Sequence, residues 1–199
     1  MKKNSYLNYI LILVASLYGV LAGIKFLING NIYGSLIRFS IVLVMLLPWI
    51  IKKLFKIEIP SNLITTYLIF VFMAHFLGSI LDFYHIFNNY DKIMHFLSGI
   101  LTAYIGLYLI MLLKSYNKKN IIFNIIFIIG FTLSIAFFWE VFEFVNDSLF
   151  GKDAQNVLTT GVDDTMWDMI VAFLGSIIIS IIYIVEVKTN KKLLVTKLS

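Results

Sequence analysis

Asp91 and His95 stand four residues apart, Glu140, Glu143 and Asp147 follow at intervals of three and four, and Asp164 and Asp168 are again four apart. On a helix those intervals place each set on one face, so three acidic stripes are expected, one of them carrying a histidine. A histidine among several carboxylates suits a divalent cation, either zinc or iron with mixed ligands or magnesium, manganese or calcium with oxygen ligands. The candidate metal ligands are His95, Glu140, Glu143 and Asp168, with Asp91 and Asp164 as catalytic candidates that orient them or act as general base. Without a metal, the same crowded carboxyl groups suit acid–base work on a lipid-linked substrate, or a proton-linked transport step. The chain has no cysteine, which excludes thiolate metal sites, cysteine nucleophiles and disulfides.

The elements that must position these residues are membrane helices. Of the 199 residues, 60% are hydrophobic and 14% charged, far from the roughly half apolar and quarter charged usage of soluble domains. A helix needs about 20 apolar residues to cross the hydrocarbon core. Six segments qualify, approximately 6–28, 34–51, 61–81, 91–113, 121–145 and 164–187, which predicts an all-α polytopic membrane protein, a bundle of six transmembrane helices in one membrane domain over 1–199. The first segment is too long for a signal-peptide core and is read as a retained helix. The longest connection, 146–163, is expected to form a small cap or lid.

Charge gives the bundle a direction. Lys2 and Lys3, the group Lys52, Lys53 and Lys56, the group Lys114, Lys118 and Lys119, and the group Lys188, Lys191, Lys192 and Lys197 hold 12 of the 16 cations. Six spans put all four groups on one side, the cytoplasmic one by the excess of basic residues in inner loops, with both termini there. The formal charge of +5 is thereby topological and implies no nucleic-acid partner, while lysines at the inner face meet anionic lipid headgroups. Asp82, Asp91, Glu140, Glu143, Asp147, Asp153, Asp163, Asp164 and Asp168 all map to the outer half, as do His75, His85 and His95; only Glu58 and Glu186 among the acids do not.

Each of these residues has a structural reading as well. Asp91 and Asp164 suit helix N-caps or first-turn acids. Glu140 and Glu143 could pair with Lys92 or Arg38 to hold helices together where there is no water. His75 reads as a satisfied interior histidine, and His75 with Asp82 makes a fourth stripe if the third helix continues that far. Trp49, Trp139 and Trp167 suit interface belts, the latter two adjoining the acids. Gly99, Gly106, Gly130 and Gly175 are close-packing positions.

Three motifs carry a family resemblance: Tyr90-Asp91-Lys92-Ile93-Met94-His95-Phe96, then Trp139-Glu140-Val141-Phe142-Glu143-Phe144, then Asp164-Thr165-Met166-Trp167-Asp168-Met169. In that order, on successive helices, they resemble the YjdF family of bacterial inner-membrane proteins from about residue 74 to 175. A looser similarity runs to VanZ-like proteins, which carry an Asp-Lys-x-x-His element, a Glu-x-x-Gln element and a late Asp; Glu143 stands where that family has Gln. VanZ-like proteins are associated with lowered susceptibility to a lipoglycopeptide, so the resemblance implies an outward-facing site near lipid headgroups.

The reading with most support is a bacterial plasma-membrane protein whose outer acid and histidine site, with a divalent metal ion, acts on a lipid or lipid-linked envelope molecule. A non-enzymatic binding or sensing protein is the second reading. A small carrier is the third, and it ranks last because proton-coupled carriers place ionisable groups at the midplane of interrupted, repeated helices.

Overall fold

The computed structural model describes residues 2–191 and 193–198, with side chains described from residue 6 onward and not for 196 and 197. Lys192, among the cations expected at the inner face, therefore lies outside the described residues, as do the side chains of Lys2, Lys3 and Lys197. The described chain is helical: α1 (Lys2–Ile28), α2 (Ile32–Phe55), α3 (Ser61–Val71) running into a π-helical stretch (Phe72–Ile80), α4 (Phe83–Ile86), α5 (Tyr90–Leu112), α6 (Ile121–Phe150), α7 (Val157–Thr160), α8 (Asp163–Thr189) and α9 (Val195–Leu198). Six helices are long and apolar enough to cross a membrane: α1, α2, α3 with its π-helical extension, α5, α6 and α8. The protein is an all-helical, multi-span membrane protein.

Two departures from the expected spans have local causes. Asn146, Asp147 and Ser148 read as breakers, yet α6 continues to Phe150 and stops at Gly151, whose φ of 60° supplies the left-handed cap. The connection after α6 is accordingly 151–162. The third span ends as a π-helix, and Asp82 leaves it with φ 68° to start α4, so His75 and Asp82 form no shared stripe. An i→i+5 turn rotates side chains off the α-helical phase on which that stripe depended. Asp82 instead faces His85 Nδ1 at 2.5 Å.

The chain divides into two compact units, Met1–Tyr90 and Asp91–Ser199. The first packs around Ala15, Ile41, Met45, Leu68, Val71, Phe76 and Ile80. His75 Nε2 there lies 3.0 Å from both Ser40 Oγ and the Ile37 carbonyl. Arg38 donates to the Gly34 carbonyl at 3.0 Å and lies 3.5 Å above the Phe26 ring, partners within its own helix and the preceding one.

In the second unit α6 is apolar on every side, yet it buries one stripe, Asn124, Ile128, Thr132, Ala136 and Glu140. The spacing of four keeps those residues on one face while exposed Phe137, Phe138, Phe142 and Phe144 cover the others, as a helix in lipid requires. The α5 and α8 helices meet through small residues. A Cβ on Gly99 would overlap the backbone of Ala172, and one on Gly175 the backbone of Phe96. Gly130, by contrast, faces open space. At the opposite end of this unit from Asp91, Glu140 and Asp168, Asn124 donates to the Tyr183 hydroxyl at 2.6 Å, and Glu186 accepts from the amides of Leu194 and Val195 at 2.5 and 2.9 Å. Burial there, with Tyr183 and Glu186 beside it, pushes the Tyr116 hydroxyl up to about 12.

Candidate functional site

The first turns of α5 and α8 and the last three turns of α6 converge at one end of the second unit. The Gly99–Ala172 and Gly175–Phe96 approaches hold α5 and α8 backbone to backbone one turn below His95 and one to two turns below Asp168. That proximity is what lets short side chains meet across the helices. His95 Nε2 lies 3.5 Å from Asp91 Oδ1 and 3.8 Å from Asp168 Oδ1. One ligand atom from each of Asp91, His95 and Asp168 falls within 4.8 Å of the others, and no other such group occurs among the described residues. His95 and Asp168 are buried and Asp91 is partly so.

Lys92 supplies the positive charge. Its ammonium donates to Asp168 Oδ1 at 2.7 Å, forms a closer contact with Asp164 Oδ1, and sits 3.6 Å from Asp91 Oδ2. The expected pairing of Lys92 with Glu140 or Glu143 is therefore replaced by one with α8, because Lys92 lies on the α5 face that α8 covers. Asp164 is not an N-cap: it sits in the first turn of α8, where Val162 is the cap and offers no side-chain bond. Its carboxylate is held by Lys92 and by Asn156 Nδ2 at 2.6 Å. Asp91 likewise lies in the first turn of its helix, a position that favours an acid through the helix dipole.

Glu140 and Glu143 fall outside the three-residue group. Glu140 is 5% exposed. One of its carboxylate oxygens is approached by Gln155 Nε2 at 3.5 Å, and its Oε1 has no hydrogen-bond partner. His95 and Asp168 both act electrostatically on Glu140, so it belongs to the same charged region. Glu143 accepts from Trp139 Nε1 at 2.9 Å. Trp139 and Trp167 are 49% and 55% exposed, as interface residues are.

Gln155 was not legible as a site residue. It comes from the 151–162 loop, is 9% exposed, and donates to the Glu140 carbonyl at 3.2 Å and toward Thr165 Oγ1 at 3.3 Å. Asp147 positions it by accepting from the amides of Ala154 and Gln155 at 2.8 and 3.1 Å. The loop is thus folded back over the α6–α8 end. The expectation of a cap over this end was the only sequence signal that pointed there.

A cavity of about 220 Å³ opens beside Glu140, between α6, the loop and α8. Phe137, Val141, Phe144 and Met169 wall it, and Glu140, Gln155 and Thr165 are its polar side. The geometry offers a three-ligand set with an ammonium beside it and, next to that, the buried Glu140 carboxylate, one oxygen of which has no partner, on a residue that lines an apolar cavity.

Comparison with known proteins gives the chain its family. Residues 7–189 match the family described as predicted membrane protein (DUF2238), and the chain belongs to that family. An uncharacterized protein of Thermotoga maritima is 29% identical over 131 residues, 64% of this chain and 65% of that protein. The chain thus spans just under two thirds of the length of this curated relative. No solved structure matches the chain.

Proposed function

We propose that this is a bacterial plasma-membrane protein with both ends on the cytoplasmic side, whose outward-facing site binds a divalent metal ion and acts on a lipid or lipid-linked envelope molecule. The observation that carries the reading is the grouping of Asp91, His95 and Asp168 within 4.8 Å. Zinc holds nitrogen and carboxylate oxygen at about 2.0–2.2 Å, so two of its ligands can stand no more than about 4.4 Å apart. The His95 separations of 3.5 and 3.8 Å satisfy that limit. When bound, the metal would polarise an ester or phosphoryl oxygen or activate a water.

This chain's own groups divide the remaining work. Lys92, held by Asp164, balances part of the acidic charge and orients Asp168. Glu140 is the general acid–base candidate, since its side chain is among the residues that line the cavity through which a substrate would approach. Glu143, tied to Trp139, sits at the rim. Within Asp91–Ser199, Lys114, Lys118, Lys119, Lys188 and Lys191 gather at the end remote from this site, which supports the outward orientation. Support for a lipid substrate comes from length: Ile121 to Glu140 is about 20 residues of helix, or about 30 Å, comparable to the hydrocarbon thickness. The likeness of the three site motifs to those of YjdF and VanZ-like proteins points to the same surface.

Metal analysis of the purified protein tests the reading. Stoichiometric divalent metal is expected in wild type and in Glu140→Gln, and is expected to be lost in His95→Ala. Active wild-type protein without stoichiometric metal would sink it. Incubation of reconstituted protein with labelled lipid extracts separates the alternatives. Turnover abolished by Glu140→Gln marks an enzyme, capture without turnover a binder, and movement across sealed vesicles a carrier.

A further inference from the structure

We infer that the 151–162 segment is seated in the bilayer: α7 lies along the headgroup boundary at the acidic end of the second unit, with Val157, Leu158 and Val162 against acyl chains. The inference takes the multi-span membrane fold as its premise and is independent of any metal or substrate. Three observations meet here.

The first is exposed apolar surface in a connection. Leu158 is 85% exposed and Val162 65%, with Val157 and Phe150 half-exposed. Within the single turn of α7, helical spacing sets Val157 and Leu158 on one half and Thr159 and Thr160 on the other. Apolar side chains grouped beside polar ones mark a contact surface, whereas scattered ones do not.

The second is continuity with the face that α8 turns outward. Val162 stands one turn before Met166, and exposed Ile170, Leu174, Ile178, Ile181 and Val185 follow at intervals of three and four, the spacing of one side of a helix. From Met166 to Val185 the rise is about 28 Å, close to the roughly 30 Å thickness of the hydrocarbon. Val162 and α7 therefore come where that stripe runs out, next to exposed Trp167, a residue type that favours the interface.

The third is the backbone. The amides at 151, 152, 154–156 and 158–161 donate within the chain, and Thr159 and Thr160 Oγ1 donate to the Asn156 carbonyl at 3.1 and 2.9 Å. A loop in water can leave such groups to solvent, but one pressed against hydrocarbon must satisfy them itself. Lys152, Asp153 and Asn156 fix the depth, since charged and amide side chains stop at the headgroups. Area argues against a protein as the occupant. A stable interface takes roughly 20–30 residues a side, whereas Phe150, Val157, Leu158 and Val162 make a small patch that a lipid surface can cover. Held there, the segment keeps Gln155 over the Glu140 carbonyl.

The chain has no cysteine, so an introduced one carries a nitroxide label without background. Leu158→Cys, Val162→Cys, Thr160→Cys and Leu174→Cys are labelled in the full-length protein and reconstituted into vesicles of phosphatidylcholine and phosphatidylglycerol. Power saturation then compares access of oxygen, which concentrates among acyl chains, with access of a water-soluble nickel chelate. The oxygen-to-nickel ratio is expected to be several-fold higher at positions 158 and 162 than at 160, and highest at 174. Adding Leu158→Asp to the Val162→Cys protein should lower the ratio at 162 toward that at 160; an unchanged ratio at 174 in the same background confirms that the helices stay folded. Equal ratios at 158, 160 and 162 overturn the inference. Low access of both reagents at 158 would show that protein, a second copy of this chain included, covers α7, and overturns it as well. So does a ratio at 162 that Leu158→Asp leaves where it was.

Discussion

Each of the two units holds a histidine and a long cation within its spans, and the two units treat them differently. In Met1–Tyr90, His75 is matched by Ser40 and the Ile37 carbonyl, and Arg38 by the Gly34 carbonyl and the Phe26 ring. Those partners are backbone, hydroxyl and aromatic groups, which satisfy a polar side chain without adding charge. In Asp91–Ser199, His95 and Lys92 are surrounded by Asp91, Asp164 and Asp168, and Glu140 beside them keeps an oxygen unpaired. Ionisable groups at membrane depth are costly in both places. The first unit reduces that cost with local neutral partners, whereas the second gathers like charges that repel. An arrangement that would be poor as a structural device is what a site for a cation or a donor-bearing ligand requires.

The sharpest way to break the contrast is to remove the long cation from each unit. Lys92→Met leaves three carboxylates facing one another and should cost about 3–5 kcal/mol, read as a large drop in thermal midpoint in detergent and partly restored by adding Asp168→Asn. Arg38→Met loses one hydrogen bond and a ring contact and should cost about 1–2 kcal/mol. Equal losses would erase the distinction.

Glycine substitution probes the geometry beneath each cluster. Gly99→Ala drives a Cβ into the Ala172 backbone, while at Gly23 the neighbour is the Phe39 ring, which can turn aside. Gly99→Ala should cost about 1–3 kcal/mol and also weaken metal and lipid retention by spreading His95 from Asp168; Gly23→Ala should cost less and leave retention intact. Ser40→Ala removes one partner of His75 and should cost about 1 kcal/mol, with no change in lipid retention at the acidic site. The smallest effect carries the opposite sign. Glu140→Gln replaces a buried carboxylate with one unpartnered oxygen by an amide and should leave stability unchanged or raise it by about 1 kcal/mol or less, read as the thermal midpoint, while abolishing function. A clear loss of stability there would mean that Glu140 is structural.

Much of this was legible in the chain. Hydropathy over some twenty residues located all six spans, since the length of an apolar run is a local property that the bilayer thickness reads directly. Periodicity placed Asp91 with His95 and Asp164 with Asp168, because a helix fixes the relative direction of side chains three and four apart whatever surrounds it. The same rule failed at His75 and Asp82, where a π-helical stretch changed the phase, and at 146–150, where polar residues stayed helical until Gly151.

What only the tertiary structure decided is which stripe meets which. Lys92 chose Asp164 and Asp168 over Glu140 and Glu143, and Asp91 joined His95 and Asp168, because the Gly99 and Gly175 contacts draw α5 and α8 together more closely than side-chain spacing along either helix can state. Gln155 reached Glu140 through a loop fold set by Asp147. The sequence by itself determined the spans, the polarity of charge along them and the face each acid occupies. The pairing of acids with cations, and the one oxygen left without a partner, depend on distances between helices, and no local pattern encodes those.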